Sequence, residues 1–247
     1  MRTLKLTLAY DGTRFVGWQR QVERAGESIQ GALEDALARF EGGPVSVQGA
    51  GRTDAGVHAL GQVASVRLAC RHDTATLARA LNAQLPEEIR VTAVEEVGAD
   101  FHARFSARSK TYRYQIRTGA IASPFDRLYV WHVPERLALD ALAQAAAVLV
   151  GTHDFAAFRS VGSTVSGTVR TITRSEWREQ DGLLIYEISG DGFLRHMVRA
   201  IVGTLVEIGR GWRSSEEIAA LLAGGTRAQA GATAPPQGLF LVGVEYE

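Results

Sequence analysis

Apolar and polar residues alternate from the start of the chain. Leu4, Leu6 and Leu8 are spaced by Lys5 and Thr7, and a period of two predicts a strand over residues 3–10. The period then changes. Ile29, Leu33, Leu37 and Phe40 fall on one face of a helix over residues 28–40, with Ser28 as its N-cap and Gly42-Gly43-Pro44 as its end. Strands follow at 45–50 and 61–69. A helix from Thr74 to Leu85 turns Leu77, Ala80, Leu81 and Leu85 inward and stops at Pro86. Ile89 to Val97 reads as a strand. The order is β-α-β-β-α-β.

The second half shows a similar order. Lys110 to Thr118 alternates as a strand, and Leu137 to Val150 is an alanine-rich helix. Thr168 to Arg178 and Leu183 to Ser189 flank the turn Gln180-Asp181-Gly182, a hairpin signal. Leu194, Met197, Val198, Ile201, Leu205 and Ile208 stripe a helix. A short helix covers Ser214 to Ala223, and Leu239 to Tyr246 closes as a strand. Two such units predict an α+β protein of two related domains, each an antiparallel sheet with helices on one face, ferredoxin-like or RRM-like. The boundary is expected within residues 100–108, giving domains 1–104 and 105–247. Two segments read as loops, either ordering on a partner or serving as plain surface linkers: Phe158 to Thr168, rich in Ser, Gly and Thr, and Gly224 to Gly238, built of small residues around Pro235-Pro236.

Composition narrows the class. The chain has 247 residues, 46% of them apolar, which suits one large domain or two modest ones. No run of 18 apolar residues is present, so no membrane span is expected. The opening strand makes a signal peptide unexpected. Cys70 is the only cysteine, which excludes an internal disulfide and a cysteine zinc cluster and fits a cytoplasmic protein.

Charge changes the picture more. The total is zero, from 27 basic and 27 acidic residues, which argues against a nucleic-acid binder. The distribution argues for one. Residues 101–119 hold Arg104, Arg108, Lys110, Arg113 and Arg117 and no acid. Residues 192–213 hold Arg195, Arg199, Arg210 and Arg213 against Glu207 alone. Arg195 and Arg199, four apart, are expected on the polar face of the striped helix, at the start of which anions settle.

The candidate chemistry centres on Gly51-Arg52-Thr53-Asp54-Ala55-Gly56-Val57-His58. One carboxylate sits in a glycine-rich turn two residues after an arginine. Asp54 is the candidate catalytic group, with Arg52 expected to hold it by a bidentate pair that favours the ionised form. His58 follows four residues on, as an acid–base partner, a structural histidine or a wall of the site. Tyr112 shares a strand face with Lys110 and Tyr114, so that a ring stacks on a base while the cation meets phosphate. Histidines form no close repeated pattern, and no metal site is expected. There is no GxxxxGK[ST] loop, no GxGxxG dinucleotide site and no GxSxG turn.

Five ordered motifs carry a family resemblance. They are Leu8-Ala9-Tyr10-Asp11-Gly12-Thr13 with Phe15, Gly17, Trp18 and Gln19; Gly51 to Ala59; Phe105 to Arg108 with Lys110 to Tyr114; Gly192 to Arg199; and Pro236, Gly238 and Leu239 to Leu241. Together they resemble the tRNA pseudouridine synthase A family. The resemblance implies two domains whose sheets join across a cleft, a homodimer, and isomerisation of uridine to pseudouridine at positions 38, 39 and 40 of the tRNA anticodon stem-loop, with no metal or organic cofactor. It puts the catalytic aspartate at Asp54 with Arg52 as its partner and the active-site tyrosine at Tyr112. Lys110, Arg195, Arg199 and His58 join as substrate-binding residues, and Leu239 supplies an aliphatic contact to the base. Asp54 then attacks the sugar, attacks the base at C6, or removes a sugar proton; the sequence leaves these three open. The competing expectation is a non-catalytic, RRM-like RNA-binding protein or RNA chaperone.

Overall fold

A computed structural model describes residues 1–21, 26–160 and 167–246. The chain forms two compact units: Met1–Arg108 together with Phe240–Glu247, and Ser109–Leu239. The change of unit lies at Arg108/Ser109, four residues beyond the expected edge, and the last strand leaves the second unit almost at once.

In the first unit the strands are β1 (Arg2–Tyr10), β2 (Gln48–Gly49), β3 (His58–Leu68), β4 (Ile89–Val97) and β10 (Leu239–Glu245), and the helices are α1 (Ile29–Glu41) and α2 (Thr74–Gln84). β1 lies between β4 and β3, antiparallel to both. The alternation of β1 has its expected consequence: Leu4, Leu6, Leu8 and Tyr10 are buried. Along its other edge β3 receives β2 at Ser65 and Ala64, and β10, in parallel, at His58 and Ala59. The connection from β2 to β3 therefore carries residues 50–57 past the end of β10. The Ser28 hydroxyl caps α1 by accepting from the Gly31 N–H, and Asp73 caps α2 by accepting from the Thr76 N–H. Asn82 of α2 bonds both the N–H and the C=O of Val91, and so serves the edge strand β4 as a partner strand would.

In the second unit the strand order is β5 (Ser109–Thr118), β9 (Leu183–Gly190), β8 (Val169–Gln180) and β7 (Gly151–Asp154), all antiparallel, with β6 (Trp131–Val133) parallel beside β5. α3 (Leu139–Ala147), α4 (Met197–Gly209) and α5 (Glu217–Leu222) complete it. Asp181 and Gly182 both take positive φ, so β8 and β9 are joined by a two-residue turn of the hairpin kind. The α+β class is as expected.

Three details differ from the periodicity. Val45 to Ala50 yields only the two residues of β2, because both backbone groups of Val47 are taken by α1: its N–H donates to the Glu34 carboxylate and its carbonyl accepts from the Gln30 amide. β6 and β7 are too short to show a period. The segment Gly224 to Gly238, expected as a surface linker or a loop that orders on a partner, is docked on α4. The Gly231 N–H donates to Thr204 Oγ1, the Ala232 N–H to Glu207, and the Ala234 N–H to the Arg199 carbonyl. Small residues are what this requires: a Cβ on Gly203 would stand 1.6 Å from the Ala232 carbonyl oxygen. The other expected loop, Phe158 to Thr168, falls mostly on residues 161–166, outside the described residues.

Candidate active site

The loop that carries Asp54 is gripped from below by the first unit. The Thr53 carbonyl accepts the Trp18 N–H at 3.0 Å, and the Asp54 carbonyl accepts the Val57 N–H at 3.1 Å. Thr53 Oγ1 lies 2.8 Å from the Tyr10 hydroxyl. The Gln62 amide donates to the Gly51 carbonyl at 2.9 Å and reaches the Tyr10 hydroxyl at 3.4 Å. Tyr10, Thr53 and Gln62 are all buried. Burial pushes the Tyr10 hydroxyl up to about 12 against the downward pull of its bonds to Thr53 and Gln62, so it stays protonated at every working pH. Gly17, at φ +105°, passes so close that a Cβ there would stand 2.7 Å from the Thr53 carbonyl oxygen. On this base Asp54 is left partly exposed and Arg52 exposed.

His58 is placed differently from the expectation of a residue facing substrate. It is 1% exposed. Its Nδ1 accepts the Gly12 N–H at 3.0 Å and lies 3.2 Å from an Asp11 carboxylate oxygen, and its ring stacks on Phe240 at 4.7 Å. His58 thus ties Asp11-Gly12 and the last strand to the base of the loop.

In the second unit, Lys110, Tyr112, Tyr114 and Ile116 share the buried face of β5. The Tyr112 ring meets Phe193 edge-on at 5.0 Å. Lys110 pairs with Gly190 across β9, so the segment from Gly190 to Arg195 runs beside both residues. Tyr114 is core: it is fully buried and its hydroxyl donates to the Pro235 carbonyl at 2.7 Å. Leu239 is buried as the first residue of β10.

The arginine pair does not share a helix face. α4 begins only at Met197, after His196 in the left-handed region, so Arg195 stands before the helix and exposed. Arg199 is partly buried, and its Nε donates to the Ala234 carbonyl at 2.8 Å. The helix is buried nearly all round, because the small-residue segment covers the side that the stripe left for solvent. Of the basic strip at 101–119, Arg113 pairs with Glu187 and Arg117 with Asp126, while Arg104 and Arg108 are exposed.

Sequence reasoning passed over Gln62, Phe193 and Phe240. Gln62 left a signal. It is in phase with Ala64, Val66 and Leu68, all buried, and stands opposite Leu8; a lone amide at a core-phase position needs internal partners. Among the described residues no group of three His, Cys, Asp or Glu is placed to hold a metal ion, and no helix is long and apolar enough to cross a membrane.

Comparison with known proteins converges on one family. The family model described as tRNA pseudouridine synthase matches residues 7–106 and 145–247. A tRNA pseudouridine synthase A of Syntrophotalea carbinolica is 47% identical over 246 residues, covering 100% of this chain and 97% of that one. Its counterpart in Solidesulfovibrio magneticus is 46% identical over 253 residues, covering 100% and 92%. That of Moorella thermoacetica is 45% identical over 246 residues and covers 100% of both chains. With matches of this extent, the chain belongs to the tRNA pseudouridine synthase family.

Proposed function

We propose that this protein converts uridine to pseudouridine at positions 38, 39 and 40 of the tRNA anticodon stem-loop, with Asp54 as the catalytic group and no cofactor. The observation that carries the reading is the contrast within one loop: the backbone on both sides of Asp54 is bonded to buried groups, while the residue Asp54 is itself partly exposed. A loop held in this way suits chemistry on a bound molecule better than a solvated turn does.

The target uridine leaves the base stack before its glycosidic bond is reached, at a cost of a few kcal/mol. Breaking N1–C1′ and forming C5–C1′ conserves all atoms, so neither water nor a redox partner is consumed. Asp54 opens the reaction by one of three routes: attack at C1′, attack at C6 of the base, or removal of a sugar proton. Tyr112 stacks on the base and takes part in moving the C5 proton at the end. Arg52, Lys110 and Arg195 meet the phosphates, and Leu239 gives the base an aliphatic contact. Arg199 contributes by holding Ala234 in place. The protein works as a homodimer in the cytoplasm.

The test is incubation with an unmodified tRNA transcript, a chelator and no other additive, followed by nucleoside analysis and mapping. Pseudouridine at positions 38 to 40 supports the reading. Tight binding with no pseudouridine at any position would leave a non-catalytic RNA-binding protein. Sedimentation at working concentration tests the dimer.

A further inference from the structure

Resting on that reading, we infer that Gln62 and Tyr10 are positioning residues for Asp54, acting through a buried hydrogen-bond chain that links Gln62, Tyr10 and Thr53.

The orientation of the Gln62 amide follows from counting donors and acceptors. The Gly51 carbonyl can only accept, so the Gln62 atom 2.9 Å from it is the NH₂ group. The amide oxygen is on the other side, where it accepts the Val63 N–H at 3.2 Å. The second N–H of the same NH₂ points to the Tyr10 oxygen at 3.4 Å. Tyr10 therefore accepts from Gln62, and its hydroxyl shares a second hydrogen bond with Thr53 Oγ1 at 2.8 Å.

Each member is anchored in rigid structure. Tyr10 ends β1 and Gln62 lies within β3, the two strands that pair along the centre of the first unit. Tyr10 is 4% exposed and Gln62 is 0% exposed. Their two bonds land on Gly51 and Thr53, the residues that bracket Arg52 and immediately precede Asp54. The sheet thus sets the loop's height and tilt from inside. Neither side chain touches substrate; the effect passes through Thr53. A loop bonded only to water would sample many carboxylate positions, and a displacement of about 1 Å costs on the order of 10²-fold in rate.

The chain can be cut at two points with little change of shape: Tyr10→Phe removes the hydroxyl, and Thr53→Val removes its partner. The measurements are single-turnover rate at saturating tRNA, tRNA affinity and thermal midpoint. The expected result is a rate about 10- to 100-fold lower for each variant, with unchanged affinity and a folded protein. Thr53→Ser, which restores the hydroxyl, is expected to recover most of the rate lost in Thr53→Val. Wild-type rates in both Tyr10→Phe and Thr53→Val would overturn the inference. So would a rate loss that serine does not recover, since that marks packing rather than the bond. Asp54→Asn is run alongside. If that variant stays active the catalytic reading itself falls, whereas an inactive Asp54→Asn beside fully active Tyr10→Phe and Thr53→Val sinks the positioning role alone.

Discussion

The N–H of Trp18 donates to the carbonyl of Thr53 at 3.0 Å. The first loop of the chain and the loop of Asp54 therefore share a backbone bond, although they are far apart in sequence. The neighbour of Trp18 makes the approach possible: Gly17 has no Cβ to strike the Thr53 carbonyl, and it takes a φ of +105° that other residues resist.

Gly17→Ala is accordingly expected to cost stability and activity together. Backbone strain of this kind is worth about 1–3 kcal/mol, and relief by moving the loop would displace Asp54. Thermal denaturation and single-turnover assays check it. A variant with wild-type stability and rate would show that the two loops are independent.

Asp54→Asn keeps the size of the side chain and removes its charge. The fold and tRNA affinity are expected to survive, because the loop is held through Gly51, Thr53 and the backbone of Asp54 rather than by the charge alone. Pseudouridine formation is expected to fall by more than the ~10²–10⁴-fold of an auxiliary acid–base group. Nucleoside analysis after long incubation measures it, and turnover within tenfold of wild type would remove Asp54 from the chemistry.

How much of this was legible in the sequence depends on how local each signal is. The strand of Leu4, Leu6 and Leu8 and the helix capped by Ser28 were readable, because their periods and caps lie within a few residues. The Asp54 loop was readable as a candidate site because acid, base and glycines are adjacent. The role of its supports was not: Tyr10 and Gln62 reach Thr53 and Gly51 only once β1 and β3 pair. Arg195 and Arg199 misled for a related reason. Their spacing suits a helix face, but His196 starts the helix late, and the covering segment arrives from residues 224–238. Periodicity cannot show what a distant segment covers.

That correction separates the two arginines experimentally. Arg195 is exposed, so Arg195→Ala is expected to leave stability within about 0.5 kcal/mol. It should weaken tRNA binding and lower the slope of log affinity against log salt by about 0.7–0.9 if one phosphate contact is lost. Arg199→Ala removes a charged donor from the Ala234 carbonyl and is expected to cost about 1.5–3 kcal/mol. Denaturation curves and binding from low to moderate salt decide it. Equal stability loss in both would place Arg195 in the fold rather than at the RNA.

The last prediction concerns pH. Glu187 is buried and meets three arginines: Arg113 at 2.8 Å, Arg174 at 3.0 Å and Arg178 at 3.0 Å. Burial alone would push its carboxyl up, but the bonds and charges of Arg113 and Arg178 outweigh it and hold the group below the ordinary carboxylate range. A carboxyl depressed in the folded state contributes stability above its unfolded value, near 4.3, and loses that contribution as pH falls through the lower folded value. Glu187→Gln is therefore expected to destabilise the protein at neutral pH by about 1–3 kcal/mol, since three guanidinium groups lose their shared counter-charge. The variant should also lack this part of the acid-induced loss, so the two stability curves converge below pH of about 4. Urea unfolding of both proteins from neutral to acid pH measures it. Parallel curves across that range would mean that Glu187 is held by packing and that its charge adds nothing to the fold.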